Sequence, residues 1–174
     1  MINRIKLDYD ISKFLTADYT QHEGSCISHQ VHELTDIHEK YGGFPKTYIY
    51  ENTLIHQLWW DKSQINFGEL GKQLGMEVIT VSTILQPPGC IIPLHRDTFF
   101  QINKQYPNKT ETKVRANIFL EDWKLGQLLQ YNDEVCSYWQ AGEGFLWDSS
   151  VLHLSANAGM QDKYTLQVSG FLGV

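Results

Sequence analysis

The strongest constraint on how this chain folds is the series of short β-branched segments that begins at Glu77. EVITVSTILQ (77–86), KVRANIFLE (113–121), QLLQYN (127–132), EVCSYWQ (134–140), GFLWDS (144–149) and KYTLQVSGF (163–171) follow one another, separated by turn-rich pieces such as YNDE and AGEG. Six or seven short strands with little helix between them point to an antiparallel sandwich or barrel. Ahead of them the chain is mixed. Helix is expected in SHQVHELTDIHEKYG (28–42) and in DKSQINFGELGKQLG (61–75), the latter capped by Asp61 or Ser63 and ended by Gly75. No repeat or linker divides the 174 residues, so a single domain is expected, with residues 1–76 as mixed, partly helical support and residues 77–174 as the β core.

The 14 Lys and Arg against 20 Asp and Glu give a formal charge of -6, which argues against a surface built to neutralise phosphates and disfavours nucleic acid as a partner. MINRIKLDYDISKF lacks an apolar signal-like run, and nowhere do 18 apolar residues follow one another, so a soluble cytoplasmic protein without a membrane contact is expected. Cys26, Cys90 and Cys136 are odd in number and far apart, which suits reduced, mostly buried thiols better than a disulfide framework or a zinc motif. His29, His32 and His38 fall in the first helical segment with no cysteine or HExxH pattern beside them, and read as an exposed polar face.

Strand alternation sorts the side chains. Val114, Ala116, Ile118 and Leu120 share one face, and Arg115, Asn117 and Phe119 the other; in the last segment Tyr164, Leu166 and Val168 oppose Lys163, Thr165 and Gln167. Such a polar face is either solvated surface or the lining of a barrel lumen, and alternation leaves both open.

The chemistry begins in PPGCIIPLHRDT (87–98). His95 and Asp97, two apart on an extended segment, project from one side and can reach a single metal ion. A third ligand is on offer in His153, 56 residues after Asp97, at the end of the strand that follows the Gly142–Gly144 turn. Two histidines and one carboxylate on one face of a metal are the ligand set of non-haem Fe(II) oxygenases. Lys163 follows ten residues later, with Thr165 on the same face. If the strand bearing His153 and the next antiparallel strand are joined by NAGMQD, this ammonium and hydroxyl enter the same lumen, where a buried lysine calls for an anion; the pair reads as a carboxylate socket.

These motifs together resemble the Fe(II)- and 2-oxoglutarate-dependent dioxygenases, whose signature is HxD, a distal His and a basic residue about ten positions on. The likeness covers about Thr80 to Phe171 and is carried by PPGCIIPLHRDT, KVRANIFLEDW, WQAGEGFLWDSSVLHLSANAG and KYTLQVSGF. In motif order it is most similar to the branch of the aspartyl/asparaginyl β-hydroxylases and bacterial cis-proline hydroxylases. The resemblance implies a mostly β fold, a double-stranded β-helix (jelly-roll, cupin-like) with N-terminal helices packed on one sheet. It implies His95, Asp97 and His153 as iron ligands and Lys163, with Thr165, as the anchor of the 2-oxoglutarate C5 carboxylate. Arg115 and Asn117 match positions that contact the co-substrate, Arg115 pairing with its C1 carboxylate or with a substrate carboxylate. The branch generally has Arg where this chain has Lys163, as in the collagen-type prolyl hydroxylases, so a point charge replaces a fork. Asp97, present as in the proline hydroxylases, occupies the position where halide binds in related halogenases and argues for hydroxylation.

The implied activity uses Fe(II), 2-oxoglutarate and O2, with ascorbate helpful in vitro, to hydroxylate an unactivated C–H of a free, proline-like amino acid or of a residue in a peptide or protein, releasing succinate and CO2. Two alternatives stand beside it: the same chemistry on a nucleobase or other small metabolite, and a non-catalytic cupin-like barrel that binds a metal or ligand. Lys163 separates the oxygenases from the latter. TFFQINKQYPNKTETK (98–113) is long for a connection and reads as a lid or binding loop, with Phe99 and Phe100 as an apolar wall or as core. Trp147 is expected at the core or lumen wall, Asp148 as a turn-former, and Asn157 near the iron or in the turn before AGM. Trp59 and Trp60 are expected to pack. The motifs specify neither a particular substrate nor an oligomeric state.

Overall fold

Alternation in the β-branched segments becomes two antiparallel sheets. The computed structural model describes residues 1–19, the backbone of 26–28, and residues 55–173. The helix expected over 28–42, with His29, His32 and His38, lies outside the described side chains. The strands are β1 (Ile2–Lys6), β2 (Cys26–Ser28), β3 (His56–Trp60), β4 (Met76–Gln86), β5 (Ile91–His95), β6 (Lys113–Phe119), β7 (Gln127–Tyr131), β8 (Glu134–Cys136), β9 (Glu143–Asp148), β10 (His153–Asn157) and β11 (Lys163–Leu172); the helices are α1 (Ser12–Leu15), α2 (Phe67–Leu74) and α3 (Phe100–Gln105). The larger sheet runs β1-β9-β6-β11-β4-β3-β2 and the smaller β5-β10-β7-β8. Strands from the N-terminal third thus extend both edges of the larger sheet, β1 against β9 and β3 against β4.

The outer face of the larger sheet is apolar and is covered by the helices. Val114, Ala116, Ile118, Leu166 and Val168 form one cluster with Phe14 of α1 and Leu70 and Leu74 of α2. Trp60 belongs to this layer: its ring meets Phe14 edge-on at 5.0 Å and its Nε1 donates to Thr83 Oγ1 at 2.9 Å. The cap of α2 differs from expectation. Asn66 accepts from the Glu69 amide and begins the helix, while Asp61 instead closes a preceding turn by accepting from the Ser63 amide and hydroxyl. Gly75 ends α2 as expected, at a φ of 64 that a side chain would resist.

The opposite face of that sheet looks at the smaller one. Phe119, Leu129, Tyr131, Trp139, Phe145, Trp147 and Val151 fill the space between, with Phe119 and Trp139 stacked at 3.8 Å. Full burial of each ring contributes about 2–3 kcal/mol. The polar faces of β6 and β11 therefore line a lumen rather than meeting solvent: Asn117, Lys163, Thr165 and Ser169 are all buried. β10 and β11 are not neighbours in one sheet, since β10 pairs with β5 and β7 whereas β11 pairs with β4 and β6. The 158–162 turn carries the chain across the sandwich, so Lys163 faces β10 rather than lying beside it. No helix among the described residues is long and apolar enough to cross a membrane.

Candidate metal and co-substrate centre

His95 ends β5 and His153 opens β10, directly across the ladder from it, with a register irregularity just beyond His153. The sequence placed His153 at the end of a strand; Ser149 to Leu152 form the intervening turn, and His153 begins the next strand. Asp97 lies past the end of β5, in an irregular segment, and still converges. The ligand atoms of His95, Asp97 and His153 lie within 4.8 Å of one another, with the two rings 4.3 Å apart and His153 Nε2 4.0 Å from Asp97 Oδ2.

Each imidazole has Nδ1 against a carbonyl, His95 on Pro93 O at 2.6 Å and His153 on Val151 O at 3.2 Å. A carbonyl only accepts, so both Nδ1 atoms carry the proton and both Nε2 atoms are unprotonated. Burial, followed by the neighbouring His153, drives the His95 pKa down to about 3, and burial lowers that of His153 as well. Both rings are neutral near pH 7. For Asp97 burial pushes the carboxyl up, but Arg115 and the two imidazoles outweigh it and hold it below the usual carboxylate range. Two neutral nitrogens and one carboxylate oxygen, mostly shielded from water, form a donor set for a divalent cation.

The carboxylate is itself held. Arg115 Nη1 pairs with Asp97 Oδ1 and Arg115 Nε donates to Ser169 Oγ at 3.0 Å, while Trp147 Nε1 donates to Asp97 Oδ2 at 2.8 Å. Arg115, expected to meet a co-substrate or substrate carboxylate, thus meets Asp97. Trp147 is fully buried with its ring 4.5 Å from His153, so it belongs to the lumen wall and not to a lid. The register explains the grouping, since Trp147, Arg115 and Ser169 lie opposite one another across β9, β6 and β11.

Deeper in the lumen is Lys163. Its Nζ donates to Ser155 Oγ at 2.5 Å and to Leu128 O at 2.9 Å, and no carboxylate among the described residues pairs with it. Trp139 and Phe119 face the ammonium at 5.4 and 5.9 Å. Burial lowers its pKa from 10.5 to about 7. Ser155 in turn donates to Gln86 Oε1 at 2.8 Å, and Gln86 Nε2 is spent on Cys90 O and Ser155 O. Neither Ser155 nor Gln86 was singled out from the sequence. Ser155 had a signal, as it shares a strand face with His153; Gln86 had only its place before the PPG turn. Ser155, the hydroxyl partner of Lys163, lies two residues, about 7 Å, beyond His153 along β10. Asn117 Oδ1 is buried without a donor among the described residues. A buried cation with no carboxylate partner among the described residues fits an anion such as one end of a small diacid. Thr165 lies on the same face, opposite Phe119 in the ladder.

Other candidates fall elsewhere. Asn157 Nδ2 bonds Gln86 O and Gln161 O, and its Oδ1 accepts from the Gly159 amide, which fixes the turn and leaves nothing for iron. Phe99 is buried with Ile102 and Phe171 in a small core, and α3 occupies the 98–113 connection, so the part of the segment bearing Phe99 is packed rather than a lid; Phe100 begins that helix. Asp148 forms its turn by accepting from the Ser150 amide and hydroxyl. Cys136 is a free thiol and Cys90 is buried.

No protein-family model and no curated sequence matches the chain. Solved structures do. A prolyl-4-hydroxylase from Pseudomonas putida aligns over 99% of this chain and 92% of its own, with a TM-score of 0.56 and 16% identity. The chain has the double-stranded β-helix fold. The α-ketoglutarate-dependent carbocyclase SnoK of nogalamycin biosynthesis shares it (TM-score 0.56, 12% identity, 99% and 83% coverage), as does the viral collagen prolyl hydroxylase of Paramecium Bursaria Chlorella virus-1 in its 2OG complex (0.52, 11%, 83% and 93%). In this double-stranded β-helix the His-Asp-His group and the buried lysine meet the same strand, Lys163 reaching β10 two residues beyond His153.

Proposed function

We propose that the chain is an Fe(II)- and 2-oxoglutarate-dependent dioxygenase that hydroxylates an unactivated C–H bond of a free amino acid or of an amino-acid residue in a peptide. The observation that carries the reading is the pairing of two features in one lumen: a neutral-imidazole and carboxylate donor set, and a buried ammonium with no carboxylate partner among the described residues. The fold shared with a prolyl-4-hydroxylase and a viral collagen prolyl hydroxylase supports it.

His95, Asp97 and His153 would hold the iron, and Lys163 would hold the distal carboxylate of 2-oxoglutarate. Bound iron supplies the oxidising power by which one O2 converts the diacid to succinate and CO2 and hydroxylates the substrate carbon. The chain does the rest. Pro93 O and Val151 O fix the imidazole tautomers, so Nε2 stays available without waiting for a proton to leave. Ser155, oriented by Gln86, points its oxygen at Lys163 and fixes the depth at which a carboxylate is met. Phe119, Trp139 and Phe145 close the lumen behind that ammonium and exclude water, which strengthens its attraction for an anion. A cytoplasmic location and a small-molecule or peptide partner complete the proposal.

Succinate release across free proline, other amino acids, and Pro- and Asp/Asn-containing peptides tests this directly. The reading predicts turnover with at least one of these that requires Fe(II) and is lost in His95→Ala; iron binding that persists unchanged in both His95→Ala and Asp97→Ala would refute the ligand assignment.

A further inference from the structure

Asp97 is the ligand most exposed to misorientation, because it sits in an irregular segment beyond the end of β5 and not in a ladder. Two side chains from the larger sheet compensate. Trp147 Nε1 donates to Oδ2, the oxygen 4.0 Å from His153 Nε2, and Arg115 occupies Oδ1. Trp147 is fully buried on β9, so its indole has one available direction and reaches Asp97 across 50 residues of sequence. Arg115 is steadied by Ser169 and lies 5.6 Å from the Phe99 ring.

From this geometry we infer that Trp147 is a positioning residue for the metal: its indole N–H aims Asp97 Oδ2 at the space between the imidazoles, while Arg115 keeps the other oxygen out of it. The inference rests on the iron site proposed above. It assigns to Trp147 a role that its composition, an aromatic beside a core cluster, does not suggest, and it gives Arg115 a task that occupies it before any co-substrate enters. Phenylalanine at 147 preserves an aromatic ring beside His153 and removes only the donor. The freed oxygen then turns in the pocket, and the cost falls on metal affinity. Partners at this remove from a metal are worth about 10–100-fold in affinity.

The test is a titration of the wild-type, Trp147→Phe and His95→Ala proteins with Co(II), read by the visible absorption of the bound ion and by calorimetry. The expected result is 10–100-fold weaker Co(II) binding in Trp147→Phe with an altered absorption envelope, and no specific binding in His95→Ala. A dissociation constant within about twofold of wild type and an unchanged spectrum would overturn the role of Trp147 while leaving the metal site standing. Failure of the wild-type protein to bind Co(II) would overturn both. Should Trp147→Phe not fold, the unaltered protein labelled with 15N-tryptophan supplies the answer. Zn(II) should shift one of its five indole N–H resonances well beyond the others, with that shift absent in His95→Ala; no response from any indole would end the inference.

Discussion

Lys163→Met is the most informative single change, because the structure says that the anchor is a liability to the empty protein. An ammonium has been moved into a lumen with two hydrogen-bond acceptors and no carboxylate partner among the described residues, and burial brings its pKa from 10.5 to about 7. At about 1.4 kcal/mol per pH unit this difference is on the order of 5 kcal/mol between the charged and neutral forms, an amount comparable to the whole stability of a small domain. The sign follows from proton counting. Below about pH 7 the lysine is charged in both states and the folded protein carries the full penalty; between 7 and 10.5 the unfolded chain binds the extra proton, so stability rises with pH. Methionine fills a similar volume, removes the penalty and forfeits two hydrogen bonds worth about 1 kcal/mol each. The variant should therefore exceed wild type by about 2–3 kcal/mol at pH 6, and the gap should close by about pH 9. Urea unfolding of the metal-free proteins at both pH values measures it. A Lys163→Met protein less stable than wild type at pH 6, or a gap independent of pH, would refute the argument that the ammonium is buried without compensation.

Lys163→Ala should raise the apparent KM for 2-oxoglutarate at least tenfold while changing iron affinity little; equal 2-oxoglutarate affinity in the two proteins would move the anchor elsewhere, and Arg115 would be the first candidate. Adding Fe(II) or Co(II) at about 100 times its dissociation constant should stabilise wild type by about 2.7 kcal/mol in thermal unfolding and leave Asp97→Ala unmoved. Asn157→Ala should cost about 2–4 kcal/mol of stability through the loss of three hydrogen bonds, one buried and two partly buried, with Co(II) affinity intact, which separates the turn from the metal site. Asn66→Ala should cost about 1 kcal/mol by unfolding, a loss that would be absent if Asp61 were the true cap.

What the sequence determined by itself was local. β-branched alternation marked most strands and sorted the faces of β6 and β11, Gly75 marked a helix end, and the residue types at 95, 97, 153 and 163 pointed to a metal donor set and a buried cation. Period and spacing are properties of one segment, and they survive folding unchanged. The cap of α2 was misplaced because Asp61, Ser63 and Asn66 are all competent acceptors, and which one starts the helix depends on where α2 must sit to bury Leu70 and Leu74. Partnership was a tertiary matter. That the polar faces line a lumen, that β10 and β11 stand in opposite sheets, that Arg115 meets Asp97, and that Trp147 and Gln86 support the two halves of the site all follow from register across strands far apart in the chain. A strand's alternation says which way a side chain points but not what it points at, because the facing group is supplied by a different strand whose pairing is fixed only when the whole sandwich closes.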